Sequence, residues 1–125
     1  MILLLDANAL IWALQDGAQL SSPARLSIAD PSNDVLVSAA SVWELEIKRA
    51  SGKLRLSEGL EAAIEAIGFL GLPITMRDAV AAASLPAHHK DPFDRMLVAQ
   101  AQRLDAVIVT RDRAIASYDV KVMTA

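Results

Sequence analysis

Four acidic side chains occupy similar places along this sequence, because each follows a short apolar run or begins an amphipathic segment. They are Asp6, Glu44, Asp94 and Asp112. Carboxylate oxygens are the ligands that Mg²⁺ and Mn²⁺ prefer in proteins. A cation held by them lowers the pKa of a bound water and stabilises the charge on a transferring phosphoryl group. The residue types therefore predict hydrolysis of a phosphodiester.

Each of these acids also has a purely structural explanation as a helix cap. Ser41 and Glu44 form a Ser-x-x-Glu capping box. Asp91 suits the N-cap position of a helix that has Pro92 at its first position and Asp94 in its first turn. The remaining two acids also lie where helices are expected to begin. Taken singly, each acid is better explained as a cap than as a metal ligand.

The elements that must position the acids alternate between strands and helices. Short apolar runs predict strands at residues 2–5, 34–38, 72–75, 106–109 and 121–123. Amphipathic or capped segments predict helices at residues 8–15, 22–30, 41–50, 60–70, 77–84 and 93–104, with a helical turn at 113–117. This order predicts right-handed βαβ units and a mostly parallel sheet covered by helices on both faces. A length of 125 residues fits one domain.

A parallel sheet makes the set of acids more informative than its members. All strands point the same way, so their carboxyl ends and the following helix N-termini gather at one edge, where open α/β sheets bind ligands. Asp6 and Asp112 closely follow strands, while Glu44 and Asp94 lie near the starts of helices. Carboxylates brought together repel one another, so some must be protonated or share a cation. We therefore expect a metal-binding cleft at this edge.

Several neighbouring residues are candidates for supporting roles. Those that could orient a carboxylate or bind a metal-bound water are Asn8, Ser41 and Thr110. The cations that could hold RNA phosphates are Lys48, Arg95, Arg111 and Arg113. His88 and His89 precede Asp91 and are interpreted as solvated loop residues or RNA contacts, not as metal ligands. Trp12 and Trp43 are interpreted as core or dimer contacts.

Composition argues against several other functions. The sequence contains no cysteine, which excludes disulfides and cysteine-based zinc sites and is compatible with a reducing cytoplasm. A net charge of −3 argues against binding nucleic acid through bulk positive charge. The N-terminal apolar run stops at Asp6, which is too early for a signal peptide or a membrane span. We therefore expect no membrane association and a cytoplasmic location.

The segments that carry the acids resemble the PIN-domain ribonucleases, and more narrowly the VapC-type toxins of type II toxin–antitoxin pairs. The similar segments are residues 4–8 (LLDAN), 38–48 (SAASVWELEIK), 91–101 (DPFDRMLVAQA) and 109–112 (VTRD). The similarity spans essentially the whole chain. One position departs from the pattern, because many relatives have Thr or Ser directly after the first acid, where this chain has Ala7.

This resemblance implies a single PIN-like domain over residues 1–125 with a three-layer α/β/α fold. It implies that Mg²⁺ or Mn²⁺ is held by Asp6, Glu44, Asp94 and Asp112. It also implies endonucleolytic cleavage of RNA, a homodimer, and silencing by a cognate antitoxin whose C-terminal segment covers the active-site groove.

Other functions remain as alternatives. A catalytically idle PIN-like module would bind RNA or protein without cleaving either. A phosphoacceptor signalling domain needs an acceptor Asp after a mid-chain strand and a Lys after a late one, whereas the expected strands end at Thr75 and near Thr110. A haloacid-dehalogenase-type phosphatase needs a second Asp two residues after the first, and that position is Asn8. The ribonuclease is therefore the favoured interpretation, with the idle module as its main rival.

Overall fold

The computed structural model describes residues 1–125 and contains five β-strands. They are β1 (Ile2–Leu5), β2 (Asp34–Ser38), β3 (Leu70–Leu72), β4 (Val107–Thr110) and β5 (Lys121–Thr124). The strands form one sheet in the order β3-β2-β1-β4-β5, and every neighbouring pair is parallel. The chain runs from the central strand β1 through β2 to the edge strand β3, and it then returns to place β4 on the opposite side of β1. The carboxyl ends of β1 and β4 therefore flank a switch point in strand order, where ligands bind in open α/β sheets.

Six α-helices connect or flank these strands. They are α1 (Ala7–Gln15), α2 (Ser22–Ala29), α3 (Ala39–Ala50), α4 (Leu60–Ile67), α5 (Met76–Ser84) and α6 (Pro92–Leu104), with a 3₁₀ turn at Ile115–Ser117. No helix combines the length and the apolar character that a crossing of a lipid bilayer requires.

The central strand β1 is buried on both faces, which makes the fold a three-layer one. Leu3 and Leu5 belong to a core cluster that also contains Ile64 of α4. Leu4 points to the opposite face and joins a second cluster with Leu97 of α6. Side chains of a strand alternate between faces, so a continuous apolar run needs apolar layers on both sides of the sheet. The predicted α/β/α architecture is confirmed.

Helix α3 begins earlier than the sequence predicts. Its N-cap is Ser38, whose hydroxyl accepts a hydrogen bond of 3.0 Å from the backbone N–H of Ala40. Ser41 lies inside the helix and is 2% exposed. The predicted Ser41–Glu44 capping box is therefore wrong, because the last residue of β2 already supplies the cap.

The segment between α4 and α5 is also displaced from its predicted position. Gly68 has φ of +86° and ends α4 in the left-handed conformation, which glycine adopts without strain. The strand follows at once, so β3 occupies residues 70–72 and not 72–75. Thr75 instead forms a capping box with Asp78 at the start of α5. The sequence prediction placed Pro73 inside the strand. In the structure Pro73 lies after the strand, where its lack of an N–H costs no hydrogen bond between strands.

Candidate active site

A cleft of about 380 Å³ opens at the carboxyl ends of β1 and β4. Five carboxylates line it, namely those of Asp6, Glu44, Asp91, Asp94 and Asp112. Four of these are the acids singled out in the sequence, and they come from four separate segments of the chain. The expected convergence on one sheet edge is therefore observed.

Asp6 is both a helix cap and a wall of the cleft. Its Oδ1 accepts a hydrogen bond of 2.8 Å from the backbone N–H of Ala9, and its Oδ2 accepts one of 2.5 Å from the Thr110 hydroxyl. Thr110 Oγ1 in turn accepts from the backbone N–H of Asp112 at 3.0 Å. Burial raises the pKa of Asp6, and the hydrogen bonds from Thr110 and Ala9 oppose that effect only in part. The Thr110 hydroxyl thus connects the carboxylate of Asp6 to the backbone N–H of Asp112.

Asp94 shows the strongest electrostatic effect of the crowding. It lies in the first turn of α6, whose N-cap Asp91 accepts from the backbone N–H groups of Phe93 at 2.8 Å and Asp94 at 3.4 Å. Burial and the negative charge of Asp91 raise the pKa of Asp94 to about 7, although His89 opposes this. Ionising every acid at neutral pH is therefore costly unless a cation enters the cleft.

His89 lies between two of the acids. Its Nε2 is 2.8 Å from Oδ2 of Asp112 and 3.0 Å from Oδ2 of Asp94. Burial alone would raise the pKa of Asp112, but hydrogen bonds from His89 and from the backbone N–H of Ala114 bring it below its usual value. Burial disfavours the charged imidazole, yet the hydrogen bond and charge of Asp112 raise the pKa of His89 overall. Sequence reasoning missed this contact, and its only signal was the position two residues before the N-cap Asp91.

Glu44 reaches the cleft from the second turn of α3. Burial raises its pKa, while Lys48 one turn later opposes the effect across an ion pair of 3.4 Å. Because Ser38 and not Ser41 caps α3, capping no longer explains Glu44. Lys48, which was suggested as a phosphate contact, has its ammonium beside this carboxylate.

The other supporting candidates divide between the cleft and elsewhere. Asn8 is exposed and lines the cleft, whereas Ser41 does not. Arg111 lines it too, with its guanidinium carbon 4.4 Å from the centre of the Trp12 ring. Its Nε donates to the carbonyl of Ala125 at 2.8 Å, and its Nη2 donates to the carbonyl of Gln19. Arg111 is thus a cation held at the rim of an acidic cleft.

Arg95 has a different role from the suggested phosphate contact. Its guanidinium donates to backbone carbonyls at the end of α5 and along the α5–α6 loop, including those of Ala82 at 2.8 Å, Leu85 at 2.9 Å and Pro86 at 3.0 Å. The side chain therefore holds the loop and does not line the cleft. Arg113 is exposed beside Asp112 and is likewise not part of the cleft wall.

The two tryptophans differ in environment. Trp12 lines the cleft beneath Arg111. Trp43 is 63% exposed and contacts the edge of Phe93, with ring centroids 5.1 Å apart. The interpretation of Trp43 as a core residue is therefore wrong, and its interpretation as a dimer contact stays a prediction.

The donor set suits a hard divalent cation. All lining carboxylates offer oxygen, the chain has no cysteine thiolate to offer, and burial together with the negative charge of Asp91 raises the pKa of Asp94. Ligand atoms of His89, Asp94 and Asp112 all lie within 4.8 Å of one another. The cleft can therefore hold one or more cations and bring an oxygen-rich anion such as a phosphodiester to them.

Comparisons with known proteins agree with this fold. The family model described as the PIN domain matches residues 3–121. No curated protein sequence matches the chain significantly.

Solved structures with the same fold extend over nearly the entire chain. The VapBC2 complex of Rickettsia felis bound to a promoter DNA fragment contains a chain with a TM-score of 0.72 and 13% identity, covering 98% of both chains. DNA-bound VapBC of Salmonella typhimurium gives a TM-score of 0.71 at 18% identity, covering 98% of this chain and 97% of that one. FitAcB of Neisseria gonorrhoeae gives 0.68 at 24% identity, covering 99% and 97%. At these identities the likeness concerns the fold.

Proposed function

This chain belongs to the PIN domain family, and we propose that it is a metal-dependent endoribonuclease acting as the toxin of a toxin–antitoxin pair. The observation that carries the proposal is the convergence of four sequence-distant acids on one cleft at the switch point of the sheet. Helix caps do not require such convergence, whereas hydrolysis of a phosphodiester assisted by a cation does.

Each acid has a proposed part in this reaction. Asp6, Glu44, Asp94 and Asp112 would hold the cation, and the hydroxyl of Thr110 orients the carboxylate of Asp6. When bound, Mg²⁺ or Mn²⁺ would activate a water and stabilise the charge that develops on the phosphate. Arg111 at the rim is the cation best placed to attract an RNA phosphate towards the carboxylates.

A cleavage assay tests the enzymatic part of the proposal. A broad pool of RNA transcripts is incubated with the protein in Mn²⁺, in Mg²⁺ and in a chelator, and cleavage products are mapped. We expect cleavage only with a divalent cation and a loss of at least ~100-fold in Asp94→Asn. Asp105→Asn is the matched control, because Asp105 lies at the opposite end of α6 and is 83% exposed.

Two outcomes would contradict the ribonuclease proposal. Equal cleavage by Asp94→Asn would point to a contaminating nuclease. Binding of RNA without cleavage under any metal condition would favour the catalytically idle module.

We propose that a cognate antitoxin covers the cleft. The acidic lining favours a basic segment at the site, and solved structures that share the fold include members of toxin–antitoxin systems. A second, largely apolar groove of about 720 Å³ lies between α4 and β3, with Glu61 and Glu65 among its lining residues. Co-expression with the reading frame immediately upstream should yield a stable complex in which RNA cleavage is lost. A complex that cleaves RNA as fast as the free chain would count against this partner.

We also propose a homodimer and a cytoplasmic location. Met76 and Val80 lie one turn apart on α5 and are 90% and 68% exposed, so this helix carries an apolar face without a partner in the monomer. The absence of cysteine suits a reducing compartment, where RNA substrates are found.

A further inference from the structure

The position of His89 between Asp94 and Asp112 calls for a functional explanation. Its side chain is only 17% exposed, and its Nε2 is within 3.0 Å of a carboxylate oxygen of both acids. These distances are compatible with two roles. The imidazole is either a nitrogen ligand for the cation or a hydrogen-bond donor that holds the acids.

The second ring nitrogen distinguishes these roles. The backbone N–H of Asp91 donates to Nδ1 of His89 at 3.1 Å. A backbone amide can only donate, so Nδ1 is the acceptor in this contact and the neutral imidazole carries no proton there. In the neutral ring the proton is therefore on Nε2, which faces the carboxylates as a donor and has no lone pair available for a metal, and protonation of Nδ1 leaves this N–H in place.

The backbone of His89 is held independently of the acids. Its N–H donates to the hydroxyl of Tyr118 at 2.9 Å, and its carbonyl accepts from Nη1 of Arg95 at 3.3 Å. The Tyr118 hydroxyl itself donates to the carbonyl of Pro86 at 2.6 Å. The loop thus presents the imidazole at a defined place, which is the condition for orienting other groups.

We propose that His89 is a positioning residue of the metal site, whose Nε2–H holds Oδ2 of Asp112 against Oδ2 of Asp94. Oδ1 of Asp94 accepts no hydrogen bond in the structure and stays available to a cation, while Oδ1 of Asp112 accepts one from the backbone N–H of Ala114 at 2.8 Å. This inference rests on the proposed metal-dependent function. It assigns His89 to the shell that orients the ligands, not to the ligands themselves.

Calorimetric titration with Mn²⁺ tests the donor role without measuring activity. His89→Phe keeps an aromatic ring but removes the N–H, whereas His89→Gln keeps an N–H near the position of Nε2. We expect His89→Phe to bind Mn²⁺ about 10-fold more weakly than wild type and His89→Gln to recover most of the loss. His88→Ala is the control, because His88 is exposed and contacts Tyr118, and it should bind as wild type does.

The same titrations separate this inference from the proposed function. If wild type bound no Mn²⁺, both would fail. If wild type bound Mn²⁺ and His89→Phe bound it equally well, or better than His89→Gln, only the positioning role would fail. Thermal unfolding of each variant without metal checks that the chain is folded.

Nuclear magnetic resonance of the wild-type protein supplies a test that needs no variant at position 89. Histidine labelled with ¹⁵N is observed without metal and with saturating Mg²⁺, and His88→Ala assigns the two rings. We expect Nε2 of His89 to carry a proton in both states. Loss of that proton on addition of Mg²⁺ would make His89 a direct ligand and overturn the proposal.

Discussion

At the scale of single residues, the main electrostatic feature of the cleft is the raised pKa of Asp94, which burial and neighbouring negative charge produce. Its pKa of about 7 lies far above the ordinary value of 3.8, because burial and Asp91 both disfavour the carboxylate. Asp112, only one imidazole away, has a lowered pKa because hydrogen bonds outweigh its burial. Two acids of the same chemical type therefore differ in charge state when no cation is present.

This difference predicts a stabilising effect of Asp94→Asn without metal. The unfolded chain ionises Asp94 near pH 3.8, whereas the folded chain keeps the proton until about pH 7. The contribution of this group to folding stability is therefore highest below pH 3.8, and it is lost as pH rises to about 7. Asn cannot ionise, so at pH 8 in a chelator we expect its Tm to exceed that of wild type by roughly 3–6 °C.

Thermal unfolding at two pH values checks this prediction. Near pH 4 the two proteins should unfold at similar temperatures, because Asp94 is then mostly protonated in the folded state. A lower Tm for Asp94→Asn at pH 8 would contradict the electrostatic explanation. Addition of Mn²⁺ should stabilise wild type by mass action and the variant less.

At the scale of elements, the loop between α5 and α6 depends on one side chain. Arg95 donates to carbonyls at the end of α5 and along the loop, and it also contacts the Tyr118 hydroxyl at 3.3 Å. The loop carries His89 and ends at the N-cap Asp91, so its path decides where two groups of the cleft lie. Hydrogen bonds from charged donors contribute about 1.5–3 kcal/mol each when their partners are buried.

We expect Arg95→Lys to loosen this loop. Lysine keeps the charge but cannot reach several carbonyls with a planar fork, so the free energy of unfolding should fall by about 2 kcal/mol. Hydrogen exchange should accelerate across residues 85–91. Arg77→Lys on the exposed side of α5 is the matched control and should change neither quantity. Unchanged exchange in Arg95→Lys would show that the loop is held by other contacts.

Helices α5 and α6 are joined by an ion pair between a buried carboxylate and an arginine that is 34% exposed. Arg103 donates to Asp78 through Nε at 2.6 Å and through Nη2 at 3.0 Å, and Asp78 is 1% exposed. The hydrogen bond from Arg103 lowers the pKa of Asp78 to about 2. Its stabilising contribution is present above pH 3.8 and is lost as pH falls towards 2.

Replacement of Asp78 can be compared with replacement of Asp105, which forms an exposed ion pair. Asp78→Asn should lower the free energy of unfolding by about 1–3 kcal/mol at pH 7, and by less near pH 2. Asp105→Asn removes a pair of 3.0 Å with Lys121 whose side chains are 83% and 63% exposed, so it should have little effect. Urea unfolding across this pH range measures both. Equal losses in the two variants would contradict the role of burial.

At the scale of the whole molecule, the exposed apolar face of α5 predicts self-association. Val80→Glu places a charge on this face and should convert a dimer into a monomer, because an unpaired charge is costly in an apolar interface. Light scattering coupled to size-exclusion chromatography measures the mass. Leu26→Glu is the control, since Leu26 is 72% exposed on α2 and should leave the assembly unchanged. A monomeric wild type, or a Val80→Glu protein that stays dimeric, would remove α5 from the proposed interface.

The sequence alone determined the parts of the molecule that depend on local pattern. Apolar runs and alternation specified the βα order, and parallel geometry then required Asp6 and Asp112 to share an edge with Asp94. Two predicted helix boundaries were wrong, namely the start of α3 and the end of α4. In each case the chain offered more than one residue that could begin or end the helix, and the structure uses Ser38 and Gly68. Such choices depend on where the neighbouring strand ends, which local propensity does not contain.

Only the tertiary structure decided which side chains orient the four acids. The Thr110 hydroxyl reaches Asp6 across 104 positions, and His89 reaches Asp112 across 23. Arg95 lies next to an acid in sequence yet binds the loop, because its long side chain follows the packing of α5 against α6. The acids themselves lie at strand ends and helix starts, so their convergence follows from topology. Their orientation follows from contacts that exist only once the chain has folded.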